Sequence, residues 1–234
     1  GVDPLDDIRA LMGRDVDGFI IANDGDVTAD VIRHIAAMGN PLVLVESYLD
    51  DPIHSVTADN FSAGLTVTNH LIALGHRRIG VLRGPAKYSS LRDRLRGHLI
   101  ALLEHGLAVE AELQPMPVSG HPRKGYLQMK QLLALPEPPT AVFAVSDKSA
   151  FGAIEAIREA GLRIPEDISI AGVDDVAESA YHVPPLTTYH VPKAKLGEVA
   201  VRVMHDMLES ETPPVRTLLT GSLVVRSSTG APPG

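Results

Sequence analysis

Short runs of β-branched and aliphatic residues alternate along this chain with longer stretches of helical periodicity, and that alternation limits the fold more than any other feature. Apolar runs at residues 18–21, 42–45, 79–82, 141–145, 168–173 and 223–225 read as strands. Between and around them, residues 4–12, 29–38, 61–74, 91–104, 126–133, 149–160 and 193–208 carry helix patterns. Strands alternating with helices of about 10–15 residues build βαβ units, and their parallel sheets need helices on both faces. The punctuation agrees. Asp3 before Pro4 reads as an N-cap with proline in the first turn, and Gly39, Gly75, Gly106 and Gly161 stand where helices should stop. Ala63, Val67, Leu71 and Leu74 recur at helical spacing, a stripe made to lie on a sheet.

A doubly wound lobe ordinarily opens with a strand, a helix and a strand, the first strand lying mid-sheet. This chain opens on a helix, and only two clear strands precede Asp59. The first lobe is therefore expected to be incomplete at its N-terminus.

Composition removes several function classes. A formal net charge of −8 argues against this stretch itself gripping nucleic acid, which needs clustered Lys and Arg. Without cysteine there is no disulfide and no thiolate metal site, which suits a reducing cytoplasm. The acidic start, Gly1 to Asp7, has no basic n-region, and no apolar run approaches the roughly 20 residues of a membrane helix. The ten histidines show no H-x-x-x-H spacing, so neither a metal nor a cofactor is expected. No G-x-S-x-G elbow, Walker loop or G-x-G-x-x-G occurs, so an enzyme is not expected either.

Polar residues cluster where strands give way to helices. Asn60 and Asp147 read as N-caps. Arg92, Arg94 and Arg96 sit at a helix start, where positive charge opposes the dipole and calls for an explanation. Asp174 and Asp175 follow the strand at 168–173, at the carboxyl end where open α/β sheets gather ligands. Adjacent carboxylates there point apart, which speaks against a catalytic or metal pair.

Four stretches together resemble the lactose-repressor (LacI/GalR) family of transcription regulators. They are V-T-A-D-N-F-S-A-G at 56–64 with H-L-I-A-L-G-H-R-R-I-G at 70–80; R-L-R-G at 94–97; A-V-F-A-V-S-D-K-S-A-F-G-A at 141–153; and G-L-R-I-P-E-D-I-S-I-A-G-V-D-D at 161–175 with P-P-L-T-T at 184–188. The tail L-V-V-R-S-S-T at 223–229 closes the match. The resemblance implies two Rossmann-like lobes of the periplasmic-binding-protein type. Residues 1–59 and 192–220 would form the first, and 60–191 and 221–234 the second. It implies a homodimer to which residues 193–208 contribute, controlled by a small effector such as a sugar, a polyol or a purine. Operator DNA would be bound by an N-terminal helix-turn-helix outside this chain. The alternative is a periplasmic-type sugar-binding protein serving transport, with the same lobes.

The same resemblance assigns effector contacts. Asp59 would face the cleft and accept hydroxyl hydrogen bonds. Arg94 would point into it, a planar fork for paired hydroxyls or a carboxylate. Asp174 would bind effector while Asp175 ties its loop. Ser146 stands where the family often has a ligand-bonding Asn, and His121 stands where many members carry a stacking aromatic after Gly-Asp. Since Arg94 is expected to face a wet cleft, its removal is expected to spare the fold.

Overall fold

A computed structural model describes residues 16–22, 27–117, 123–210 and 212–234. The helix expected at 4–12 and His121 lie outside the described residues. The chain divides into two compact units, residues 1–58 with 87–90 and 192–220, and residues 59–86 with 91–191 and 221–234.

The first unit holds a parallel sheet of order β1-β2-β3-β8, built from β1 (Phe19–Ala22), β2 (Leu42–Val45), β3 (His54–Ala58) and β8 (Arg216–Leu219). Every residue of β2 is buried, as befits a strand covered on both faces. Phe19, Leu42 and Leu44 pack with Val31, Ile32 and Ile35 of α1 (Ala29–Ala37). The alternate residues Val43 and Val45 point to the opposite face. There α7 (Lys193–Glu209) runs along β1, β2 and β3, burying Leu196, Ala200 and Met204. Thr28 caps α1, its hydroxyl accepting from the Val31 N–H.

The second unit has the order β4-β5-β6-β7-β9, with strands β4 (Ile79–Leu82), β5 (Ala141–Ala144), β6 (Ser169–Asp174), β7 (Thr187–His190) and β9 (Ser222–Val224). All pairings are parallel except β7 with β9. Four longer helices flank it: α2 (Asn60–Ala73), α3 (Ser89–Glu104), α4 (Lys124–Leu133) and α5 (Asp147–Glu159). The short α6 (Glu178–Tyr181) follows β6. Ala63, Val67 and Leu71 are fully buried, and only Leu74, at the helix's end, is partly open. The α/β expectation holds, with three strands before Asp59 where the sequence shows two.

The strands missed are β3, β7 and β8, with sequences HSVTA, TTYH and RTLL. Polar side chains hide the first two, yet β3 is wholly buried. In β7 the Thr187 backbone N–H donates to Ser228, and the Thr188 hydroxyl donates to Asp147. The H-L-I-A-L-G-H stretch and the S-S-T tail prove to be one structural clasp. His70 bonds Thr229, while His76, fully buried, bonds Thr140 and the Gly230 carbonyl. Ser228 is buried and donates to the Ile170 carbonyl.

Helices α2 and α3 cross at two glycines. A Cβ on Gly64 would lie 1.9 Å from the Arg94 carbonyl oxygen, and one on Gly97 would lie 2.1 Å from that of Phe61. Backbone meets backbone there, so neither obstacle can swing away. Gly97→Ala should therefore cost about 1–3 kcal/mol through enforced helix separation. Urea denaturation checks this, and a neutral result would mean the helices part freely.

Candidate functional site

In the second unit the carboxyl ends of β4, β5 and β6 bring together residues from distant parts of the sequence. Arg94, in the first turns of α3, is only 3% exposed because Gly64 and Gly97 let α3 sink against α2. Its Nε donates to Asn60 Oδ1 at 2.8 Å and its Nη1 to the Val145 carbonyl at 2.8 Å. The same Nη1 lies 2.9 Å from Asp174 Oδ1, an ion pair whose carboxylate side chain is 24% exposed. So Nε and Nη1 of Arg94 are already engaged by acceptors of its own unit. Its loss would take a donor away from each of these three acceptors.

Asp174 and Asp175 leave β6 with φ of 124° and 47°. Left-handed backbone at two successive non-glycine residues costs about 1–3 kcal/mol each and persists only where surroundings fix it. They are fixed from several sides. Asp175 accepts from Arg226 at 2.7 Å and bonds His190 at 3.0 Å. Burial works to raise the Asp175 carboxyl, but Arg226 and His190 prevail and hold it below the usual range. Asp147, fully buried, accepts from the Val176 N–H, the Ser179 hydroxyl and the Thr188 hydroxyl. Burial pushes its carboxyl above the usual range, and these three donors oppose that.

The caps fall one residue earlier than expected. Asp59, not Asn60, caps α2, accepting from the Ser62 N–H at 3.0 Å and the Ser62 hydroxyl at 2.6 Å. Ser146, not Asp147, caps α5 through the Ser149 N–H at 3.3 Å. A hydroxyl residue three positions on, in D-N-F-S and S-D-K-S, was the available signal. Capping releases Asn60 and Asp147 inward. Asn60 holds Arg94, and Asp147 pins the loop after β6.

Ser146 also borders a pocket of about 180 Å³ with Arg83, Lys124, Lys148, Ser149 and Val145 among its lining. None of the three cations stands out in the sequence. In the first unit a separate pocket of about 310 Å³ includes Thr28, Glu46, Ser47, Tyr48 and Ser89. Glu46 there has φ 60°, the Ser89 hydroxyl accepts from the Tyr48 N–H, and Arg216 stacks 3.2 Å from the Tyr48 ring centre. Among the described residues no cluster of His, Asp or Glu could hold a metal, and no helix is long and apolar enough to cross a membrane.

Residues 68–229 match the periplasmic binding protein-like domain family. Over 232 residues, 97% of this chain, it is 32% identical to a probable HTH-type transcriptional repressor ExuR of Bacillus subtilis, covering 69% of that protein. The chain spans about two thirds of the length of the curated repressors it matches. A LacI family transcriptional regulator from Mycobacterium smegmatis superposes with a TM-score of 0.87 at 32% identity, over 97% of this chain and 83% of that one. Another from Enterococcus faecium, solved with bound ribose, gives 0.84 at 29% identity, over 98% and 85%. These relatives are transcriptional repressors or regulators. The chain belongs to the LacI family of transcriptional regulators, of which it is the periplasmic-binding-protein-like, effector-binding part.

Proposed function

We propose that the domain senses a small polar molecule, a sugar, polyol or purine-like compound, at the carboxyl ends of the strands of its second unit. Arg94 and Asp174 would be the main contacts, with Asp59 and Ser146 offering their remaining acceptor capacity at the helix starts, and His121 adding a ring. The observation that carries this reading is the Arg94–Asp174 pair together with the left-handed backbone at Asp174. A conformation that unfavourable, fixed by bonds on every side, is what a preorganised binding group requires. Its place outside the strand ends is where open α/β sheets bind ligands, and a relative of the same fold holds ribose.

In the whole protein, a helix-turn-helix preceding this chain would bind operator DNA in the cytoplasm as a homodimer, with α7 contributing to the dimer. Effector binding would change operator affinity by linkage, a coupling of about 1–3 kcal/mol or five- to 150-fold. The test uses the full-length gene product and DNA fragments selected from its own genome. A sugar or nucleobase panel should contain a compound that shifts DNA affinity by that factor, and Asp174→Asn should abolish the shift while leaving DNA binding intact. A full-length protein without sequence-preferring DNA binding would overturn the reading.

A further inference from the structure

We infer that the pocket at the carboxyl ends of β4 and β5 takes the anionic end, a carboxylate or a phosphate, of the molecule this domain senses; the inference rests on the sensor reading above. Three cationic side chains, Arg83, Lys124 and Lys148, line one space of about 180 Å³, together with the hydroxyl residues Ser146 and Ser149. No carboxylate is part of that lining. In a chain of net charge −8 this is an unusual concentration of one sign.

Several other arginines of the second unit show what these cations lack. Arg78 bonds Glu110 and Glu112, Arg163 bonds Asp167, Arg226 bonds Asp175, and Arg94 bonds Asp174. Among the described residues, neither Arg83 nor Lys124 nor Lys148 has an acidic partner or a side-chain hydrogen bond. Arg83 Nε is closed to solvent and has no acceptor. A buried guanidinium donor left unpaired is costly, and an anionic ligand oxygen would satisfy it. The backbone beneath it is held, since Gln128 Nε2 donates to the Arg83 carbonyl at 3.1 Å. The guanidinium thus springs from a fixed point.

The helix starts add to this field. A Cβ on Gly125 would lie 2.0 Å from the Ser149 carbonyl oxygen, so the first turns of α4 and α5 touch beside the pocket. Helix α4 has no side-chain cap, and both helices direct positive dipole ends to the same place. Cations, hydroxyls and two helix starts all favour negative charge there. The effector expected from Arg94 and the carboxylates alone was a sugar, a polyol or a purine. With this pocket beside them, the class becomes a polyol carrying an acid group.

The experiment titrates this 234-residue chain with sodium acetate and with sodium phosphate at constant ionic strength, read by amide chemical shifts. Saturable shifts of the Gly125, Ser146, Lys148 and Ser149 amides are expected from at least one anion below about 50 mM. The two arms separate a carboxylate site from a phosphate site. The double variant Lys124→Gln/Lys148→Gln, altering two side chains at the pocket's rim, should weaken that anion about 10- to 100-fold. No saturable shift from either anion, or equal affinity in the double variant, overturns the inference. A neutral sugar that binds wild type and double variant alike would also remove this pocket while leaving the sensor reading intact. Anion binding that leaves the full-length protein's DNA affinity unmoved would remove the inferred role in sensing.

Discussion

Arg94→Ala should lower the folding free energy by about 3–5 kcal/mol, the range for breaking a buried, hydrogen-bonded ion pair. Removing the guanidinium takes one donor each from Asn60 Oδ1, the Val145 carbonyl and Asp174 Oδ1. It also frees one anchor of the left-handed backbone at Asp174. Asp174→Asn should cost less, because that side chain is partly open and asparagine tolerates the same backbone. Arg94→Lys keeps the charge but has no planar fork, and should fall between. Effector affinity should drop about 10- to 150-fold in Arg94→Ala, beyond what partial unfolding explains, since each charged hydrogen bond contributes roughly 1.5–3 kcal/mol. Denaturation gives the first number, and calorimetry on the folded fraction gives the second. A large loss of stability with unchanged effector affinity would make Arg94 a structural residue only.

The periodic part of the fold was legible. Apolar runs gave β2, β4, β5 and β6, because strands buried on both faces cannot avoid hydrophobic residues, and also gave the half-open edge strand β1. Strands β3 and β7 escaped because Ser, Thr and His residues interrupt their apolar pattern, although several of these are buried, as Thr188 is against Asp147. At the site, Arg94, Asp174, Asp59 and Ser146 were all singled out, but their surroundings were not. Nothing in R-L-R-G says that two glycines draw α3 down until Arg94 is enclosed; that takes Gly64 on the other helix. The shift of each cap by one residue turned Asn60 and Asp147 from surface caps into interior tethers. Basic residues such as Arg83, Lys124 and Lys148 carry no shared local pattern, and the parallel order of β4 and β5 with the close approach of α4 to α5 makes them neighbours.

Mild acid should destabilise the protein, and His98 should account for about one proton of that response. His98 is 1% exposed, packed 5.5 Å from the Phe143 ring, and burial pushes it down to about 3. Its Nδ1 lies 2.9 Å from the Thr68 hydroxyl, whose single proton goes to the Gly64 carbonyl, so Nδ1 carries the hydrogen of the neutral ring. A folded pKa below the unfolded one means the unfolded chain binds more protons in the interval between them. Stability is then fully present above about pH 6.5 and declines as pH falls toward the folded pKa. At about 1.4 kcal/mol per pH unit, His98 alone should remove about 2 kcal/mol by pH 5. His70 and His76, both lowered by burial, act in the same direction. The buried carboxyl of Asp147 is raised and opposes them, though only as pH nears the carboxylate range. His98→Asn keeps a donor for Thr68 and gives up the ring. It should be less stable at pH 7.5 yet lose less on acidification, its slope between pH 6.5 and 5 shallower by about 1 kcal/mol per unit. Urea midpoints across that interval measure both slopes, and identical slopes would show that His98 takes up its proton as readily folded as unfolded.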